Sequence, residues 1–121
     1  MHLFITGITG FVGSGAAMKA RERGHRVTGT YVDDRPVPVG LEGVELIELD
    51  LLDPAGLGGA LARSRPDAII HLAGLAHVGR SWQRLAEYFQ VNVQGTEHLL
   101  RAAAAWERQR GAGPVRVVVA S

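Results

Sequence analysis

An open, doubly wound α/β sheet of five parallel strands, in the order 3-2-1-4-5, is the fold this sequence predicts. Three observations carry it. Short apolar runs alternate with longer stretches of helical periodicity along the whole chain. Glycines crowd the turn after the first run, "GITGFVGSG" at residues 7–15. No repeat or low-complexity tract interrupts the alternation. Strands that alternate with helices form a parallel sheet covered on both faces, and such a sheet leaves a ligand crevice at the carboxyl end of its first strand.

Residues 2–6 read as a short buried strand that stops at the glycines. From Phe11 the pattern turns helical: Val12, Ala16 and Ala20 recur every four residues, and Gly24 stands where a C-terminal cap belongs. Arg26–Tyr31 is rich in β-branched residues and reads as the second strand. Residues 32–43 contain Pro36, Pro38 and two glycines and read as a loop, so this link is the least regular crossover. Val44–Leu49 is the third strand. Asp53 and Pro54 form an N-cap and first helical position. That helix contains Gly56, Gly58 and Gly59, each costing about 1 kcal/mol against alanine. "PDAIIHLAG", residues 66–74, is the fourth strand. A long helix is predicted over residues 81–108, with Leu85, Phe89, Val93, Leu100 and Ala104 as its apolar face. Gly111, Gly113 and Pro114 end it, and "VRVVVAS" is the fifth strand.

Composition narrows the function. A length of 121 residues suits one domain, and 46% hydrophobic residues supply a core. Net charge is +1, and the twelve arginines and one lysine are dispersed, which argues against a nucleic-acid partner. The absence of cysteine excludes disulfides, thiolate catalysis and cysteine-type zinc sites. His2, His25, His71, His77 and His98 show no metal-ligand spacing, so no metal is expected. No apolar run approaches the ~18 residues of a membrane span. The N-terminus lacks the layout of a signal peptide. A cytoplasmic protein with no membrane partner is the expectation.

Gly7, Gly10 and Gly13 follow a Gly-x-x-Gly-x-x-Gly spacing between a predicted strand and a predicted helix. This placement is what a Rossmann-type dinucleotide site requires. Glycine lets the backbone approach a pyrophosphate, and the helix that starts there offers free N–H groups and a positive dipole end.

Five stretches, "TGITGFVGSG", "LDLLD", "IIHLAG", "VNVQGT" and "VVVAS", occur in an order that resembles the extended short-chain dehydrogenase/reductases, the NAD-dependent epimerase/dehydratase proteins that act on sugar nucleotides. Within that family, "LDLLDP", "PDAIIHLAG" and "VGRSW" look most like GDP-mannose 4,6-dehydratases and GDP-4-keto-6-deoxymannose reductases. The resemblance implies an NAD or NADP cofactor, a nucleotide-sugar substrate for a full-length parent, and a homo-oligomer. It implies that Gly7, Gly10 and Gly13, with Phe11 and Val12, wrap the pyrophosphate. Asp50 and Leu51 would sit beside the adenine. Leu72, Ala73, Gly74 and Leu75 would line the nicotinamide-ribose side. Asn92 would tie the central strands together near the active site. Each has a plainer alternative: Asp50 a strand-end turn, Gly74 a simple turn, Asn92 a mid-helix polar residue bonding its own turn.

The chain also departs from the family. The strand-2 end, usually acidic in NAD-specific members, is Tyr31, followed by Asp33, Asp34 and Arg35. An aspartate favours NAD and an arginine favours the 2′-phosphate of NADP, so both cofactors stay open. Family catalysis uses a Ser/Thr and a Tyr-x-x-x-Lys pair. Neither Tyr31 nor Tyr88 has a lysine four residues on, and the only lysine is Lys19. Ser121 matches the first serine of the family's strand-5 motif, so no catalytic residue is assigned. Residues 1–121 therefore read as the incomplete N-terminal portion of an NAD(P)-binding domain, inactive alone. It would be truncated before the catalytic and substrate-binding parts, with an uncovered edge strand that promotes association. A non-catalytic NAD(P)-binding module is the alternative, and a steroid or flavonoid ketone reductase of the same fold is a third reading. His77 and Arg80 are candidates to approach substrate, with an exposed loop as the equal alternative. Trp82 and Trp106 read as packing anchors.

Overall fold

The computed structural model describes residues 1–32, 36–73 and 85–120. Its strands are β1 (His2–Thr6), β2 (Arg26–Tyr31), β3 (Glu45–Glu48), β4 (Ala68–His71) and β5 (Arg116–Val119). All pair in parallel in the order β3-β2-β1-β4-β5, as the sequence predicts. The helices are α1 (Phe11–Glu22), α2 (Pro54–Ser64), α3 (Leu85–Phe89) and α4 (Gly95–Arg110). A π-helical segment, Gln90–Gln94, joins α3 to α4.

β1 takes the centre because it is apolar on both faces. Successive side chains of a strand point to opposite sides. Phe4 packs with Leu57, Leu61, Leu99 and Trp106 under α2 and α4. Leu3 and Ile5 pack with Ile8, Ala17, Ala20 and Val27 under α1. One helix thus covers one face and two cover the other.

Two predicted helix faces are corrected. α1 buries Gly13, Ser14, Ala17 and Ala20, whereas Val12 is 63% exposed. Small residues let the helix lie closer to the sheet than a valine row would. The region beyond residue 85 is also not one regular helix. Leu85, Phe89, Val93, Leu100 and Ala104 are exposed, and α4 instead buries Gly95, Leu99, Ala103 and Trp106. The π segment interrupts the every-four register between α3 and α4. Trp106 then decides the buried face: it is the largest apolar side chain available, and its Nε1–H donates to the Pro66 carbonyl at 2.9 Å. Arg65 lies over its ring, 5.5 Å from the centroid. Trp106 is a packing anchor, as predicted; Trp82 lies outside the described residues.

α2 starts as its sequence dictates. The Asp53 carboxylate accepts from the Gly56 N–H at 3.0 Å, and Pro54 occupies the first turn. Gly59 is exposed in the helix interior, and a Cβ there would meet nothing within 4 Å. Gly59→Ala should therefore raise unfolding stability by about 0.5–1 kcal/mol. Urea denaturation followed by circular dichroism checks this; an unchanged or lowered midpoint counts against an open, helical position at Gly59.

Candidate functional site

At the carboxyl ends of β1, β2 and β4 lies a cleft of about 390 Å³. Gly7 and Gly10 form its floor, Tyr31 and Asp50 one side, and Ala73 and Gln90 are among its other lining residues.

The three glycines do different work. Gly7 has φ +70°, a left-handed conformation that glycine adopts without strain. A Cβ on Gly7 would stand 2.9 Å from the Ala73 backbone nitrogen and Cα. A Cβ on Gly13 would overlap the Gly7 carbonyl oxygen. Gly7 and Gly13 are thus required by backbone packing, and Gly13 does not line the cleft. Gly10 has an ordinary φ of −73° and room for a Cβ at 3.4 Å from the Gly7 oxygen. It lines the cleft and is the N-cap of α1.

No side chain caps α1, and no acidic residue stands in its first turn. Its first N–H groups and positive dipole end are left for an anionic group. Phe11, 96% exposed, and Val12 lie on the outer side of that turn. Ile8 plugs the loop from below: it is fully buried, and its N–H donates to the Thr30 carbonyl at 3.1 Å. A Cβ on Gly29 would overlap the Ile8 side chain, so Gly29 is the partner of that plug. A lone glycine inside a strand signals such a close approach.

The turn after β3 forms one wall. Asp50 Oδ1 accepts from the Leu52 N–H at 2.9 Å, which closes the turn on itself. That is the plainer role open to Asp50, and the residue also lines the cleft. Leu51 is buried, and its carbonyl accepts from His98 Nδ1 at 2.8 Å. A Cβ on Gly95 would lie 3.1 Å from Leu51 Cβ, so α4 rests directly on this turn.

The opposite wall hangs on Thr6. Its Oγ1 accepts from the N–H groups of Leu72 and Ala73, each at 3.1 Å. It also lies 2.7 Å from His71 Nδ1. His71 Nε2 is 2.9 Å from Thr96 Oγ1, which donates to the Asn92 carbonyl at 2.7 Å. Asn92 sits in the π segment beside Gln90 and Val91, which line the cleft. The sequence marks His71 and His98 only as histidines without metal-ligand spacing and gives Thr6 and Thr96 no role, because their partners are remote in the chain. Asp33, Arg35, Gly74, Leu75 and Ser121 lie outside the described residues, as do His77 and Arg80. Among the described residues no cluster of three or more acidic or histidine side chains is placed to hold a metal. None of their helices is long and apolar enough to cross a membrane.

Burial holds the pKa of His71 below its ordinary value. His2, which bonds Thr28 Oγ1 at 2.7 Å, is lowered by burial and by the Arg26 charge. Each imidazole is therefore harder to protonate in the folded chain than in the unfolded one. As pH falls through about 6.5, the unfolded state takes up protons first and folding stability drops. Asp67, lowered chiefly by the His2 backbone N–H, is ionised in both states across that window and contributes nothing there. The urea midpoint should consequently be lower near pH 5.5 than near pH 7.5. A midpoint that rises on acidification overturns the neutral, buried state of these rings.

The sequence profile of the NAD dependent epimerase/dehydratase family matches residues 3–121. The dTDP-glucose 4,6-dehydratase of Neisseria meningitidis serogroup B is 34% identical over 116 residues, covering 88% of this chain and 32% of that protein. The CDP-glucose 4,6-dehydratase of Salmonella typhimurium is 32% identical over 124 residues, covering 98% of this chain and 33% of that one. Among solved structures, a UDP-glucose-4-epimerase of Stenotrophomonas maltophila with bound NAD and formylated UDP-arabinopyranose superposes with a TM-score of 0.83. That match is 25% identical and covers 100% of this chain and 37% of the epimerase. The chain spans about a third of the length of these relatives.

Proposed function

The chain belongs to the NAD dependent epimerase/dehydratase family, and from that premise we propose that residues 1–121 are the N-terminal, NAD(P)-binding portion of an enzyme that modifies sugar nucleotides. The observation that carries the proposal is the cleft over Gly7 and Gly10, with the uncapped start of α1 facing it. Gly10 leaves a cradle that any side chain would fill, and the α1 N–H groups suit a pyrophosphate. Gly7 and Gly13 hold that loop against Ala73 and α1. Asp50, Leu51, Leu72 and Ala73 bound the rest of the dinucleotide, and Asn92 holds the turn beside it. Bound there, the nicotinamide supplies a hydride acceptor or donor for a sugar carbon. The similar proteins bear dTDP-, CDP- and UDP-linked sugars in their names, which supports a sugar-nucleotide substrate class and gives no particular support to the GDP-mannose likeness.

NAD is the first cofactor to test, since the epimerase of similar fold holds it. Asp33 supports NAD and Arg35 supports NADP. The chain should bind NAD(H) or NADP(H) saturably in calorimetry. Gly10→Asp should abolish binding while leaving the fold intact, because a Cβ at Gly10 meets only an ordinary contact. Failure of a folded wild-type chain to bind either cofactor overturns the proposal.

A non-catalytic dinucleotide-binding module is the second reading, and the Tyr-x-x-x-Lys pair separates the two. The only lysine, Lys19, pairs with Glu22 at 3.7 Å on the exposed side of α1, and no tyrosine of the chain precedes it at the family spacing. A reading frame that continues past Ser121 into a Tyr-x-x-x-Lys motif decides for the enzyme.

We further propose self-association. Phe89 is 65% exposed and Val118 is 59% exposed, and Leu85, Val93 and Leu100 add to the uncovered apolar surface. Sedimentation should show dimers or larger species at micromolar concentration. A monodisperse monomer counts against this.

A further inference from the structure

We propose that His71, as the neutral Nε2–H tautomer, is a positioning residue that carries the geometry of the Thr6 hydroxyl to the Asn92 turn and so fixes the cleft wall made by Gln90 and Val91. Hydrogen-bond direction fixes the tautomer. A threonine hydroxyl has one proton and two lone pairs. At Thr6 the hydroxyl lone pairs face the N–H of Ala73 and the N–H of Leu72, which the hydroxyl shares with the Thr6 carbonyl at 3.3 Å. The proton is left to point at His71 Nδ1, 2.7 Å away. Nδ1 therefore accepts and carries no proton. The proton of the neutral ring sits on Nε2 and is donated to Thr96 Oγ1 at 2.9 Å. Thr96 passes its own proton to the Asn92 carbonyl at 2.7 Å. All steps run the same way, from β1 through β4 to the helix start.

The far end of the chain of bonds is where the helix is irregular. A threonine hydroxyl that bonds back to the carbonyl four residues earlier loosens a helix locally. Asn92 lies in the middle of the π-helical segment, which such turns often form at working sites. Thr6 is fully buried and His71 nearly so, which shields their shared bond from solvent, while Thr96 and Asn92 are more open. A protonated His71 would aim a second N–H at the Thr6 hydroxyl proton and break the direction of the relay. The effect on cofactor rests on the cleft being a dinucleotide site; the direction of the relay does not.

Two measurements separate these. Long-range 1H–15N spectra of the ring-labelled chain report the tautomer. The expected result is a neutral His71 protonated at Nε2 at pH near 7.5; an Nδ1–H ring or an imidazolium overturns the relay. Affinity is then read with NADH and NADPH for Thr96→Val and Thr96→Ser. Thr96→Val should weaken binding about tenfold, and Thr96→Ser, which keeps the hydroxyl, should restore it. Wild-type affinity in Thr96→Val, or loss in both variants alike, overturns the positioning role. If Thr96→Val does not fold, His71→Gln replaces it, with the same loss expected and wild-type affinity again overturning the role. Absence of binding by the folded wild-type chain defeats the cofactor half of the proposal, while the ring spectrum still decides the relay.

Discussion

The site depends on a contact between backbones. Gly7 approaches Ala73 so closely that no Cβ fits between them, and the Gly7 carbonyl occupies the space a Cβ on Gly13 would need. That pair of approaches lets the first turn of α1 drop onto the carboxyl end of β1 while β4 runs alongside. Any larger residue at either position would push the helix start away from the strand ends. The cleft floor, the direction of the α1 N–H groups and the position of the β4 end would all change together. The packing of Ile8 beneath the loop, opposite Gly29, resists the same displacement from the other side.

The start of α4 is the second organising element. Gly95 lies against Leu51, His98 bonds the Leu51 carbonyl, and Thr96 bonds His71. One helical turn therefore grips both walls of the cleft, which belong to strands on opposite sides of β1. This explains why a helix start is built from a glycine, a threonine and a histidine rather than from residues of high helix propensity. Buried Leu99, Ala103 and Trp106 then hold α4 against α2 and β1, so the grip is backed by the larger of the two cores.

The exposed apolar residues of α3, the π segment and β5 contrast with this packed centre. Leu85, Phe89, Val93, Val118 and Val119 do not line the cleft. The chain covers about a third of its relatives' length, and exposed apolar side chains also stand on its earlier part, at Phe11, Val12 and Val39.

The sequence by itself determined the strand order, the parallel sheet, the glycine loop between β1 and α1, and the start of α2 at Asp53. These follow from short-range rules: alternation of periodicities, turn chemistry and capping, each readable within a few residues. Only the tertiary structure decided which face of α1 and α4 is buried: small residues let α1 lie close to the sheet in place of the row that starts at Val12, and Trp106 with the π segment outweighs the row that starts at Leu85. It alone distinguished Gly10, which faces the cleft, from Gly13, which faces Gly7, though the spacing treats them alike. It alone joined Thr6, His71, Thr96 and Asn92. Hydrogen-bond direction in a buried network depends on partners brought together from distant parts of the chain, and no local pattern encodes them.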